Sequence, residues 1–295
     1  MIDIQNRKDH RHVEINKVGV KDIRYPITVL DKRNKVQHTV GKVNMYVNLP
    51  HHFKGTHMSR FIEILNEYRG TINIKAISTI LGQMKEKLNA ESAYMEVEFP
   101  YFIEKRAPVS GAKSLMGYTC QFLASLINGH HSLIVRVIVP VTTLCPCSRE
   151  ISKKGAHNQR SLVTVKVTFR KFFWIEDLIR IVENSGSAAV FSLLKRSDEK
   201  FVTEKAYDHP MFVEDVVRNI ALKLKAHRNI TWFSVESENL ESIHNHNAYA
   251  CVEKREGKPF SGGGGGLGGT ASSSLTLIIG CPPRWTMSSN TSGRA

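Results

Sequence analysis

The chain has 295 residues, 41% of them hydrophobic and 23% charged, with a formal net charge of +14. That length can bury one large core or two ordinary ones, and no apolar run is long enough to cross a bilayer, so membrane insertion is not expected. The N-terminal stretch MIDIQNRKDHRHVEINK lacks the apolar segment of a secretory signal, which predicts a cytoplasmic chain with reduced cysteines. Lys and Arg are scattered, with no block of five and no aromatic-basic motif, so nucleic acid is not the expected anion; a phosphorylated small molecule suits the charge better.

In chain order, an opening strand falls within Val13 to Leu30, and Val43, Met45, Val47 and Leu49 alternate as a second strand. Helical spacing follows at Phe61, Ile64, Leu65 and Tyr68, then at Ile77, Ile80, Met84 and Leu88. Strand alternation returns at Ala93 to Phe99 and at Tyr118 to Ala124. The order then repeats: strands at Leu133 to Val141 and Val163 to Phe169, helices near Ile175 to Val182 and Val213 to Leu224, strands at Ile230 to Val235 and Ala248 to Val252. Strand, strand, helix, helix, strand, strand, twice over, predicts an α+β architecture with helices layered on one face of antiparallel sheets. The modules would span residues 1–128 and 129–258, and open sheet edges of this kind are often closed by further copies. Residues 259–295 carry a glycine run and serine clusters with almost no charge, the composition of a disordered tail.

The stretch TTLCPCSREISKKGAHNQRS places Cys145 just past one predicted strand and His157 just before the next. Cys145 and Cys147 are too close for a relaxed disulfide, which leaves metal ligation, nucleophilic chemistry, or one buried cysteine with a bystander. A thiolate and an imidazole on one hairpin loop can converge on a divalent ion. Further candidate donors are Glu199 in RSDEKF and Glu241, His244 and His246 in ESIHNHNAYA; the two histidines would share a face if the final strand began there. For an anion, KGTHMSRF offers Lys54, His57, Ser59 and Arg60 at a predicted helix start, and Arg149, Lys153, Lys154 and Arg160 flank the cysteine loop; either set also suits a solvated face.

Taken together and in order, LPHHFKGTHMSRFIE, LCPCSREISKKGAHNQRS, HPMFVEDVVRNIA and ESIHNHNAYA resemble the type IB GTP cyclohydrolases, over roughly Ile4 to Glu256. The resemblance implies the tunnelling fold, with two tandem ββααββ modules per subunit and a multi-subunit barrel assembled as a homotetramer. It implies conversion of GTP and water to 7,8-dihydroneopterin triphosphate and formate, the entry to tetrahydrofolate synthesis. It implies metal contacts from Cys145, His157, Glu199 and His244 to zinc or manganese, with Glu241 as a ligand or its partner, and catalytic roles for Cys145, His157 and Glu241. Triphosphate contacts would come from Lys54, His57, Ser59, Arg60 and Arg160. Guanine presents a paired donor edge that a carboxylate satisfies best, and the resemblance gives that role to Glu214; on sequence alone, Glu214 and Asp215 are equally good first-turn helix carboxylates. Two other readings stand beside it: a pterin or deazapurine enzyme using a cysteine nucleophile without metal, and a zinc-stabilised nucleic-acid-binding module.

Overall fold

Alternating apolar and polar side chains along nearly every strand produce one antiparallel sheet. The computed structural model describes residue 5, residues 8–70 and residues 72–254; the predicted tail, 259–295, lies outside the described residues. The strands are β1 (Ile15–Asp31), β2 (Lys35–Leu49), β3 (Ser92–Arg106), β4 (Lys113–Ile127), β5 (His130–Leu144), β6 (Asn158–Phe169), β7 (Ala188–Ala189), β8 (Ile230–Leu240) and β9 (Ala248–Glu253). They lie in the order β1-β2-β3-β4-β5-β6-β8-β9, with the short β7 paired to β5. The helices are α1 (Met58–Glu67), α2 (Ile74–Lys87), α3 (Pro146–Ile151), α4 (Ile175–Glu183), α5 (Arg196–Asp208) and α6 (Val213–Ala226). All these elements belong to one compact unit, Met1–Glu256. Among the described residues no helix is long and apolar enough to cross a membrane.

The expected elements are present, and three more appear. Helix α3 and strand β7 are too short to show a period. Helix α5 is polar nearly all round, burying only Asp198 and Ala206, so it offers no apolar stripe to detect. Strands β2 and β3 also run several residues beyond their apolar cores, where even apolar side chains such as Val36, Val40 and Phe102 are exposed and the buried positions of the core no longer recur.

The core lies between one sheet face and the helices. In the second half, Val135, Val137, Val139 and Val141 of β5 and Val163, Val165 and Val167 of β6 pack with Leu178 and Val182 of α4 and Val216 and Ile220 of α6. The sheet continues across the middle of the chain, since β4 pairs β5 from Thr119↔Ile138 to Ile127↔His130. Asn128 and Gly129 make that turn with φ of 49° and 78°, the left-handed pair a tight two-residue hairpin requires.

Inward positions are apolar for most of each strand and then change character at one end. Thr143 on β5, Gln159 and Ser161 on β6, and Ser237 and Asn239 on β8 continue the inward phase yet are polar, and all five are buried. The apolar core stops there, and a polar floor lies beneath the cleft at that end.

Candidate active site

The β5–β6 connection is built around Cys145. Pro146, fixed in φ and lacking an N–H, opens α3 immediately after it, so Cys145 becomes the helix N-cap and its Sγ accepts from Ser148 N–H at 3.4 Å. The loop is closed by Cys145 N–H donating to the His157 carbonyl at 3.1 Å, and by His157 N–H donating to Ser148 Oγ at 3.2 Å. Cys145 and His157 thereby leave the sheet side by side. Cys145 is half-buried; Cys147, one step on, is exposed on α3 rather than packed as a small core residue.

Two other connections reach the same place. The Met211 N–H donates to the Leu144 carbonyl at 3.0 Å, tying the start of α6 to the end of β5. The chain leaving β8 passes Glu241, His244 and His246 before β9 begins at Ala248. The result is a cleft of about 260 Å³ lined by Cys145, His157, Glu214, Glu241, His244 and His246, with Gln159 and Asn239 at its floor.

Inside the cleft, the His157 Nδ1 lies 3.1 Å from Gln159 Oε1 and 3.9 Å from Glu241 Oε2. His157 and Glu241 side chains are only 13% and 9% exposed, so their interaction is little screened. The His244 ring stands edge-on to His157 at 6.3 Å and stacks on His246 at 5.2 Å. These two histidines lie on an irregular, exposed loop, not on the final strand, so the shared-face arrangement predicted for them is replaced by ring stacking.

Thiol, imidazole and carboxylate donors of this kind suit a borderline divalent ion such as zinc or manganese. Among the described residues no three such side chains already sit close enough to enclose an ion. Cys145, His157 and Glu241 stand at strand ends and His244 on the exposed loop beside them; all four line one cleft, and as donors they fit such a metal in kind.

Glu214 and Asp215 take different roles. Asp215 caps α6, its Oδ2 accepting from Phe212 N–H at 3.1 Å and its Oδ1 from Arg218 Nη1 at 3.3 Å. Glu214, one position earlier, is exposed and lines the cleft. The ordinary first-turn function is filled by its neighbour, leaving the Glu214 carboxylate to face a ligand.

With this geometry in place, comparison with known proteins is decisive at the level of family. The profile described as type I GTP cyclohydrolase folE2 matches residues 1–250. The chain belongs to the type I GTP cyclohydrolase folE2 family. It is 66% identical over 254 residues to the GTP cyclohydrolase FolE2 of Syntrophus aciditrophicus, covering 86% of this chain and 100% of that one. It is 63% identical to the protein of that name from Geotalea uraniireducens, covering 86% of this chain and 93% of that one, and 61% identical to that of Geobacter sulfurreducens, covering 88% and 100%. Among solved structures, urate oxidase from Bacillus subtilis 168 overlaps with a TM-score of 0.47 at 10% identity, over 81% of this chain and 98% of that one.

Of the site residues expected for this folE2 family member, Cys145, His157, Glu214, Glu241 and His244 share the cleft. Glu199 does not line it; it is exposed in the first turn of α5. Arg160 is on β6, one step out of phase with buried Gln159 and Ser161, and so faces the opposite side of the sheet. Lys54, His57, Ser59 and Arg60 follow β2, whose C-terminal end lies with the β4–β5 turn, whereas Cys145 follows the far end of β5. A 15-residue strand separates the two ends, roughly 45 Å at about 3.3 Å per residue. Arg60 Nη1 donates to the Lys87 carbonyl at 2.7 Å, bracing α1 against the end of α2. Within one chain the basic helix start and the cysteine cleft are separate places. Sequence reasoning missed Gln159 and the polar floor under it.

Proposed function

We propose that this chain is a metal-dependent type IB GTP cyclohydrolase, converting GTP and water to 7,8-dihydroneopterin triphosphate and formate in the first step toward tetrahydrofolate. One observation supports this most: Cys145, His157, Glu214 and Glu241, scattered over almost a hundred residues of sequence, line a single cleft. In this reading Glu214 accepts two hydrogen bonds from the guanine N1–H and exocyclic amine, fixing the ring so that C8 reaches deeper into the cleft. Cys145, His157 and His244 would hold a divalent ion, with Glu199 as a further donor where another chain can present it and Glu241 as a ligand or its partner. When bound, the ion supplies Lewis acidity for the hydrolysis at C8. The Glu241 carboxylate, beside His157 and shielded from bulk water, holds and passes protons as the imidazole ring of guanine opens and formate leaves, while His157 orients the site from the ion's side.

The separation of the Lys54 to Arg60 segment from the cleft supports an assembled site: we read the homotetramer as bringing one copy's basic helix start, with Lys54, His57 and Ser59, to another copy's cleft to hold the triphosphate. The decisive experiment incubates purified, zinc- or manganese-loaded protein with GTP. Formate release and oxidisable pteridine fluorescence are expected, with loss of both on chelation and recovery on metal return; a folded, loaded protein that forms neither product overturns the reading.

A further inference from the structure

We propose that Asn239, Ser161, Thr143 and Gln159 form a directional hydrogen-bond relay that sets the tautomer of His157, holding its proton on Nδ1 and presenting a bare Nε2 to the cleft. Ser161↔Asn239 and Thr143↔Gln159 are directly opposed pairs on neighbouring strands, so the sheet register itself lines the four side chains up. The Ser161 hydroxyl donates to Asn239 Oδ1 at 2.6 Å. A hydroxyl has one hydrogen, so the 2.8 Å contact between Thr143 Oγ1 and Ser161 Oγ must be donated by Thr143. Thr143 Oγ1 then accepts from Gln159 Nε2 at 3.0 Å, which turns Gln159 Oε1 toward His157 Nδ1 at 3.1 Å. An acceptor at that distance calls for a hydrogen on Nδ1.

Burial makes the direction hard to reverse. Thr143 and Ser161 are fully buried, and Asn239 and Gln159 are 3% and 7% exposed, so solvent has little access to satisfy a reversed chain. Reversal would require the Asn239 and Gln159 amides to turn over together. Glu241 Oε2, at 3.9 Å, is too far to bond Nδ1 but places negative charge on the same side of the ring. A neutral imidazole with a bare Nε2 can ligate a cation or take a proton; the opposite tautomer can do neither at that atom. The proposal rests on the cyclohydrolase reading only for the use made of Nε2. Gln159, Thr143, Ser161 and Asn239 are positioning residues.

The test reads the imidazole nitrogens of His157 by NMR in metal-free full-length protein carrying isotope-labelled histidine, at a pH about two units above the ordinary histidine value near 6.5. Wild type is expected to show a protonated Nδ1 and an unprotonated Nε2. Thr143→Val, nearly isosteric, cuts the relay, and the two nitrogen shifts should move toward each other as both tautomers populate. Asn239→Asp, whose carboxylate can only accept, should keep the wild-type pattern. Chelator competition with zinc alone should show Thr143→Val weakened roughly tenfold. A protonated Nε2 in wild type, or unchanged shifts in folded Thr143→Val, overturns the proposal. Should Thr143→Val not fold, Gln159→Met removes the acceptor itself and is read the same way. Neither nitrogen measurement uses GTP, so failure of the cyclohydrolase reading leaves this test standing.

Discussion

At the residue scale, adjacent carboxylates with different duties give the clearest contrast. On the proposed guanine contact, Glu214→Gln would put a donor where guanine also donates, and should weaken GTP binding by roughly 2 to 4 kcal/mol while metal content stays normal. Asp215→Asn should instead cost about 0.5–1 kcal/mol of stability through the α6 cap and leave affinity near wild type. Calorimetric GTP titration and thermal unfolding of both variants separate the roles; equal GTP affinity of Glu214→Gln and wild type would remove Glu214 from the guanine site. Cys145→Ala and His157→Ala should each lower bound metal, by elemental analysis, together with turnover. Cys145, His157 and Glu241 were legible because reactive side chains stood just outside strongly alternating stretches, whereas Glu214, inside the first turn of α6 beside Asp215, was singled out only by the family resemblance. The floor beneath them was not, although a signal existed: Thr143, Ser161 and Asn239 occupy the inward phase of strands otherwise filled by valine and phenylalanine. A polar residue near a strand end looks the same whether it marks the end of the core or the base of a site, and only the register across three strands distinguishes them.

At the element scale, α5 shows how a helix without an apolar stripe is held. Asp198 is fully buried. Its Oδ1 accepts from the backbone N–H groups of Val109 and Ser110, both at 2.8 Å, and its Oδ2 from Ser110 Oγ at 2.6 Å and Lys195 N–H at 2.9 Å. Burial works against the charge, but these four donors outweigh it and hold the carboxyl well below the usual carboxylate range. The helix start is thus pinned to the tip of the β3–β4 hairpin, and Arg149 of α3 stacks over Tyr207 of α5 at 4.8 Å, linking the same helix to the cysteine loop. A depressed carboxylate contributes stability that is present above its unfolded pKa, near 3.9, and is lost as pH falls through the lower folded value. Asp198→Asn should therefore lower the melting temperature at neutral pH, and the gap to wild type should narrow as pH is taken from about 5 toward 2. A gap that stays constant across that range would show that the charge contributes nothing. This staple is invisible in sequence because three of its four donors lie almost ninety residues away on a hairpin tip with no pattern of its own.

At the scale of the whole molecule, a site assembled from two copies predicts complementation. Cys145→Ala and Lys54→Ala, each nearly inactive alone, should regain part of the activity when co-expressed or unfolded and refolded together, because some clefts then receive both intact halves; activity no higher than the sum of the separate variants would argue for a site complete within one chain. The family profile ends at residue 250 and the relatives align over about the same span, so removing the chain from Gly262 onward should leave turnover and sizing behaviour unchanged. The doubled order of elements was readable because its main strands and helices each carry their own period; that the two halves share one continuous sheet was not, since strand adjacency leaves no trace in periodicity. That sheet has a kinetic consequence. Most of its neighbours are consecutive in the chain, but β2 meets β3 only across α1 and α2, and β6 meets β8 only across α4, α5 and α6. Hairpins close early and the two long loops late, because loop closure must precede the contacts that reward it. Cys145 and His157 come together with the β5–β6 hairpin, whereas Asn239 and Glu241 join them only with β8. During refolding, the nascent chain should acquire strand signal before it acquires any competence to bind zinc, and the interval between those two events times the docking of β8.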